Sequence, residues 1–180
     1  AGYQPIGLDH FVREDDELSI ALKNGQLHRN FQGYCTRRTT GQVYAFGVTG
    51  ISQLGTAYIQ NTKSIPKYIE KLEVGTLPVA KGYALNKDEQ ITREVIEMLM
   101  CNYTIRWEEL AQRLSLSVEA IKQATAYDEQ RLQEFAQDGL ITWDADHIHM
   151  TSEGKLFVRN VAASLDKLML KTDKSFSKPV

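Results

Sequence analysis

The sequence predicts an α+β fold: strand and helix signals alternate up to residue 85, and a mainly helical, winged-helix-like order follows from residue 86. Three observations predict it. Gly- and aromatic-rich extended runs alternate with capped helical segments in the first half. An apolar stripe at helical spacing, Ile91, Val95, Met98 and Leu99, opens the second. A hairpin pattern over residues 140–151 then stands between two helical stretches. The expected domains are 1–85 and 86–180.

Residues 3–10 (YQPIGLDH) read as a short strand, with Pro5 placing it at an edge or near its start. Asp15, Asp16 and Glu17 open a helix through Leu22, and Asn24-Gly25 stops it. Residues 30–36 and 43–50 are the next strand candidates, joined by the polar stretch 37–41. The second of them, VYAFGVTG, holds Gly47 and Gly50, and glycine weakens a strand unless a ligand or another backbone must come close. Ser64 and Pro66 begin a helix that ends at Gly75, and residues 77–85 give a further extended run.

Beyond Asn86 the pattern predicts a helix over 87–101, a shorter one over 107–114, and a third, N-capped by Ser117, over 118–137 with a break near Tyr127-Asp128. A hairpin turning at residues 144–146 and a last helix through about Leu170 complete it. Helix, short helix, helix, hairpin, helix is the winged-helix order.

Composition bounds the function. Apolar residues at 42% and charged residues at 24% are ordinary for a folded domain. The net charge of −2 argues against a general nucleic-acid binder. The stretch 118–137 sets Lys122 and Arg131 against Glu119, Asp128, Glu129 and Glu134, and the hairpin tip carries Asp144 and Asp146. Acidic groups there repel phosphate, so the reading expects no nucleic-acid partner. No apolar run approaches the roughly 20 residues a membrane span needs, so no membrane partner is expected either. Two cysteines, Cys35 and Cys101, are too few for a disulfide framework, and a reducing, cytoplasmic setting is expected.

Candidate chemistry from the residues alone is sparse. His147 and His149 share a strand face without a third ligand at matching spacing, so no metal site is expected. His10 and His28 lie at element ends, where a structural hydrogen bond is the default. Nothing near Cys35 lowers its pKa, and Cys101 reads as a buried small hydrophobe. No nucleophile elbow, zinc-protease motif or phosphate loop occurs. The residues describe a scaffold without an engine.

Four stretches add a resemblance: GLDHF at 7–11, HRNFQGY at 28–34, GVTGIS at 47–52 and REVIEMLMCN at 93–102. In order and spacing they resemble the C-terminal part of the oxygen-independent coproporphyrinogen III oxidases, radical S-adenosylmethionine enzymes of haem biosynthesis. Residues 138–140, Thr151 with Gly154, residues 158–160 and the ending at 176–178 extend the resemblance over essentially the whole chain. It implies the late β/α units of an incomplete TIM-like barrel followed by the helical domain. It also implies a [4Fe–4S] cluster held by a Cys-x3-Cys-x2-Cys motif, with S-adenosylmethionine on the fourth iron. A 5′-deoxyadenosyl radical takes hydrogen from a propionate of coproporphyrinogen III, and loss of CO₂ and an electron leaves a vinyl group. Two such conversions give protoporphyrinogen IX, and an electron donor is a partner.

Cys35 and Cys101 do not have the cluster motif's spacing, so no catalytic residue and no metal ligand is expected here, and the chain is expected to be an inactive piece of a longer enzyme. The resemblance implies that Ile51 contacts S-adenosylmethionine and that Phe31 and Gln32 line the same cavity, with Gly47 and Gly50 allowing close approach. His28, Arg29, Arg37 and Arg38 are candidates for holding propionates through charge-assisted bonds. Haem chaperones share this architecture and are the alternative within the class. A stand-alone winged-helix regulatory or interaction module is the alternative outside it. The missing barrel half should leave an apolar face on residues 1–85, open to pairing with a second copy in a crystal.

Overall fold

The computed structural model describes residues 2–7, 10–30, 33–36 and 42–170. The first half is built from short antiparallel pairings. Strands β1 (Tyr3–Ile6) and β2 (His10–Arg13) form a hairpin in register Tyr3 with Arg13. Asp16 caps helix α1 (Glu17–Lys23) by accepting from the Leu18 amide at 2.9 Å. Strands β3 (His28–Asn30) and β4 (Gly33–Cys35) pair next, with His28 opposite Cys35.

Strands β5 (Ile51–Gln53), β6 (Ala57–Asn61) and β7 (Val79–Ala84) make a three-stranded sheet in that order. Helix α2 (Ile65–Glu73), capped by Ser64 with Pro66 in its first turn, bridges β6 and β7. All these pairings are antiparallel, and no closed barrel forms among the described residues.

The predicted strand over 43–50 is corrected. Only Val43 bridges, to Gln53, and the strand proper starts at Ile51. Thr49 at φ 64° and Gly47 at φ 88° turn the chain out of extended geometry. Side chains take over the backbone bonds that a ladder would make. Asn61 donates to the carbonyls of Ala45 and Gly47, and the Gly47 amide donates to the Tyr68 hydroxyl at 2.9 Å.

The second half turns around α3 (Lys87–Asn102), which opens with a reciprocal capping box: Asn86 Oδ1 accepts from the Glu89 amide, and Glu89 accepts from the Asn86 amide, each at 2.9 Å. Strand β8 (Thr104–Arg106), helices α4 (Trp107–Leu114), α5 (Val118–Ala124) and α6 (Glu129–Gln137), and strands β9 (Ile141–Trp143) and β10 (His147–Met150) follow. Their sheet runs β8-β10-β9. The expected long third helix is therefore two, broken where Asp128 caps α6. The expected last helix is a 3₁₀ turn (Gly154–Phe157) followed by α7 (Val158–Ser164) and α8 (Lys167–Leu170).

The main core gathers Val95, Leu99, Ile105, Trp107, Leu110, Ile121, Ile148 and Val158, all within this half. Lys122 does not face outward as a groove reader would. Its ammonium sits 4.6 Å from the Tyr127 ring centre and 5.3 Å from that of Trp107. A second, smaller core joins Ile6, Ala21 and Leu27 to Cys101 of α3. Helix α3 thus packs on both halves of the chain.

Candidate functional site

Helix α3 presents two faces. Val95, Met98 and Leu99 enter the main core, while Glu89, Arg93 and Glu97, spaced four apart, share another face. That polar face walls a cavity of about 500 Å³. Arg29 and Asn30 of β3 line it, as do Gln53, Tyr58 and Tyr83, one from each strand of the β5–β7 sheet. Asp166 and Leu168, around the start of α8, border it too.

Charge in the wall is mixed and largely engaged. Arg93 donates to the carbonyls of Leu54 and Gly55 at 3.2 and 3.0 Å. The Tyr83 hydroxyl donates to Glu89, and that bond, with a smaller contribution from burial and the charges of Glu89 and Asp166, holds the phenol above its ordinary value. Glu97 meets Nδ1 of His28 at 3.2 Å. Arg29 lies 5.3 Å from the centre of the Tyr34 ring. Two guanidinium groups and three carboxylates suit a ligand with both charged and apolar parts, because Leu85, Ile96 and Met100 supply an apolar floor.

The residues expected from the sequence divide into three groups. Arg29 lines the cavity, while its neighbour His28 is paired to Glu97. Ile51 stands half-buried at the start of β5, opposite Gln60, and Gly47 and Gly50 lie in the turn before it. None of these three reaches the cavity wall, but Gln53, on the same strand face as Ile51, does. The turn itself accounts for Gly50: an added Cβ would sit 3.1 Å from both Ala45 Cβ and the Phe46 carbonyl oxygen. Phe31, Gln32, Arg37 and Arg38 lie outside the described residues.

The composition-based reading missed Glu89, Arg93 and Glu97 as a group. Their four-residue spacing was visible beside the apolar stripe of the same helix, and only the sheet packed opposite makes that face a wall.

The two cysteines are free thiols on different elements, Cys35 on β4 and Cys101 on α3. Burial pushes the Cys101 thiol far up, reinforced by the Glu97 charge, so it stays protonated; Cys35 is half-buried on β4. With two cysteines the chain cannot supply a three-thiolate set. Among the described residues no group of three His, Cys, Asp or Glu is placed to hold a metal ion. No helix among them is long and apolar enough to cross a membrane.

Comparison with known proteins gives similarity: residues 85–157 match the family described as the HemN C-terminal domain. The solved structure described as "Coproporphyrinogen III oxidase (HemN) from Escherichia coli is a Radical SAM enzyme" superposes with a TM-score of 0.84 at 38% identity, over 93% of this chain and 38% of that one. More particularly, the chain is a relative of the C-terminal part of the oxygen-independent coproporphyrinogen III oxidases. The Salmonella typhimurium oxidase is 38% identical over 166 residues, which are 92% of this chain and 35% of that protein. The Helicobacter pylori oxidase is 35% identical over 178 residues, 99% of this chain and 38% of that protein. The chain thus spans a little over a third of the length of the relatives it matches.

Proposed function

We propose that the chain is the C-terminal part of an anaerobic coproporphyrinogen III oxidase, converting two propionates of its substrate to vinyls with S-adenosylmethionine and an iron–sulfur cluster. The observation that carries this reading is the superposition at TM-score 0.84 on a structure named as such an oxidase, at 38% identity. The cluster's ligands are expected outside these residues, and an electron donor is a further partner. Residues 1–85 form part of the radical S-adenosylmethionine barrel in the full-length protein, and residues 86–180 form a winged-helix-like domain beside it. Exposed Phe46, Ile65, Ile69, Leu72 and Leu77 support this division, because such apolar surface is what a barrel's missing part, or a second copy, would cover.

Within the oxidase, Ile51 packs against S-adenosylmethionine, with Phe31 and Gln32 beside it and Gly47 and Gly50 shaping the approach. Arg29 holds a substrate carboxylate; its place in the cavity wall favours it over His28, which already faces Glu97. Arg37 and Arg38 are proposed as further carboxylate contacts. The setting is cytoplasmic.

The experiment is an anaerobic assay of the full-length protein with coproporphyrinogen III, S-adenosylmethionine and a reductant. Protoporphyrinogen IX and 5′-deoxyadenosine are the expected products, and the 180 residues alone should give neither. Haem binding without porphyrinogen turnover in the full-length protein would replace the oxidase reading with that of a haem chaperone. A salt-sensitive mobility shift of duplex DNA, without turnover, would replace it with a winged-helix regulator.

A further inference from the structure

We infer that Arg93 is a positioning residue that holds strand β5, and through it the S-adenosylmethionine contact at Ile51; the cofactor part rests on the function proposed above. Strand β5 is three residues long. Among the described residues it pairs with β6 on one side; on the other, Val43 exchanges backbone bonds with Gln53 at 2.7 and 2.9 Å, and the Ala45 amide donates to Ser52 Oγ at 3.0 Å. Such a strand is weakly fixed by its own ladder. Arg93 adds a restraint from α3, where β5 gives way to the turn. Its Nη1 and Nη2 donate to the consecutive carbonyls of Leu54 and Gly55, the residues that immediately follow the strand.

The restraint is anchored at its base. Arg93 sits between Thr92 and Glu94, both buried, and Val95 beside them is fully buried in the main core. The buried Glu94 carboxylate lies 3.8 Å from Arg93 and 3.7 Å from Arg113, so it attracts both guanidinium groups. The planar fork reaches two carbonyls at once from one stem. A lysine at 93 carries the charge but not the second, fixed donor. A displacement of α3 therefore moves the end of β5, where Gln53 lines the cavity and from which Ile51 is two residues away.

The test uses the full-length protein, with R93A and R93K compared to wild type. For R93A the KM for S-adenosylmethionine should rise roughly tenfold, the equivalent of one charge-assisted hydrogen bond, with kcat at saturation within about threefold. R93K should fall between the two. Cluster absorption should be unchanged, and hydrogen exchange should quicken roughly tenfold at residues 51–53 while the α3 core stays protected. An unchanged KM in R93A overturns the proposal, as does accelerated exchange spread through α3, which would mark a merely structural arginine. If R93A does not fold, R93K alone decides on the same two readouts. If wild-type protein does not cleave S-adenosylmethionine, the functional reading fails and takes the cofactor role with it, while exchange at 51–53 still decides whether Arg93 holds β5.

Discussion

The side-chain amide of Asn102 completes both backbone hydrogen bonds of Leu27: Oδ1 accepts from the Leu27 amide and Nδ2 donates to its carbonyl, each at 3.1 Å across 75 residues of sequence. Asn102 ends α3, and Leu27 is fully buried just before β3. One side chain thus stands in for a neighbouring strand and fastens the first half of the chain to the central helix. Asn102→Ala strands a buried donor and acceptor at once, so unfolding free energy should fall by about 2–4 kcal/mol. Asn102→Asp keeps the acceptor only and should fall between. Denaturant titration of the three proteins checks the order.

Two glycines separate space from conformation. A Cβ on Gly154 would drive into the backbone carbonyl of Leu140, which has no room to retreat because it already accepts from the Thr151 amide. Gly139, at φ 71°, has open space around the same position. Gly154→Ala should cost roughly 3 kcal/mol or more, and Gly139→Ala about 1 kcal/mol from its left-handed backbone. Equal losses in thermal unfolding would contradict this account.

His149 should make stability pH-dependent. Burial, followed by the charges of Lys155, His147 and Arg106, holds its imidazole below the ordinary range. Between the ordinary value near 6.5 and the depressed folded value, the unfolded chain binds more protons than the folded one. Stability therefore falls as pH drops through that window and levels out beneath it. Nδ1 lies 2.7 Å from the Thr104 hydroxyl, so a neutral glutamine is the fitting replacement. His149→Gln should flatten the slope below pH 6.5 in melting curves, and an unchanged slope would count against His149 as its source.

Cys101 should resist alkylation in the folded protein. It is 1% exposed and its thiol is pushed up by burial. Timed iodoacetamide labelling read by mass spectrometry should modify Cys35 first and Cys101 only with denaturant. Early modification of Cys101 would mean that the small core around Ile6 and Leu27 opens in the native state.

Arg29 should matter for substrate and little for the fold. In the full-length protein, Arg29→Ala is expected to raise the apparent KM for coproporphyrinogen III roughly tenfold, the size of one carboxylate contact. An unchanged value removes Arg29 from the site.

Local chemistry was legible where it acts within a few residues. Ser64 and Ser117 cap helices as their side chains dictate, and the turn at 144–146 falls between β9 and β10. The segment 43–50 misled because its Val and aromatic content favours a strand. Thr49 and Gly47 instead enter the left-handed region, and Asn61 and Tyr68 satisfy the backbone from a distance. Strands β6 and β8 went unread because three to five residues are too few to show a period.

The sequence by itself determined the caps, the amphipathic stripe of α3 and, through HRNFQGY and its companions, the resemblance to the coproporphyrinogen oxidases. Tertiary structure alone decided that Glu89, Arg93 and Glu97 face Arg29, Tyr58 and Tyr83 across a cavity. It also decided that Asn102 and Arg93 fasten segments 75 and 38–39 residues away. The physical reason is range: capping and periodicity are settled within one or two turns of chain, whereas a cavity wall and a carbonyl clamp exist only after distant backbones have been packed against the same helix.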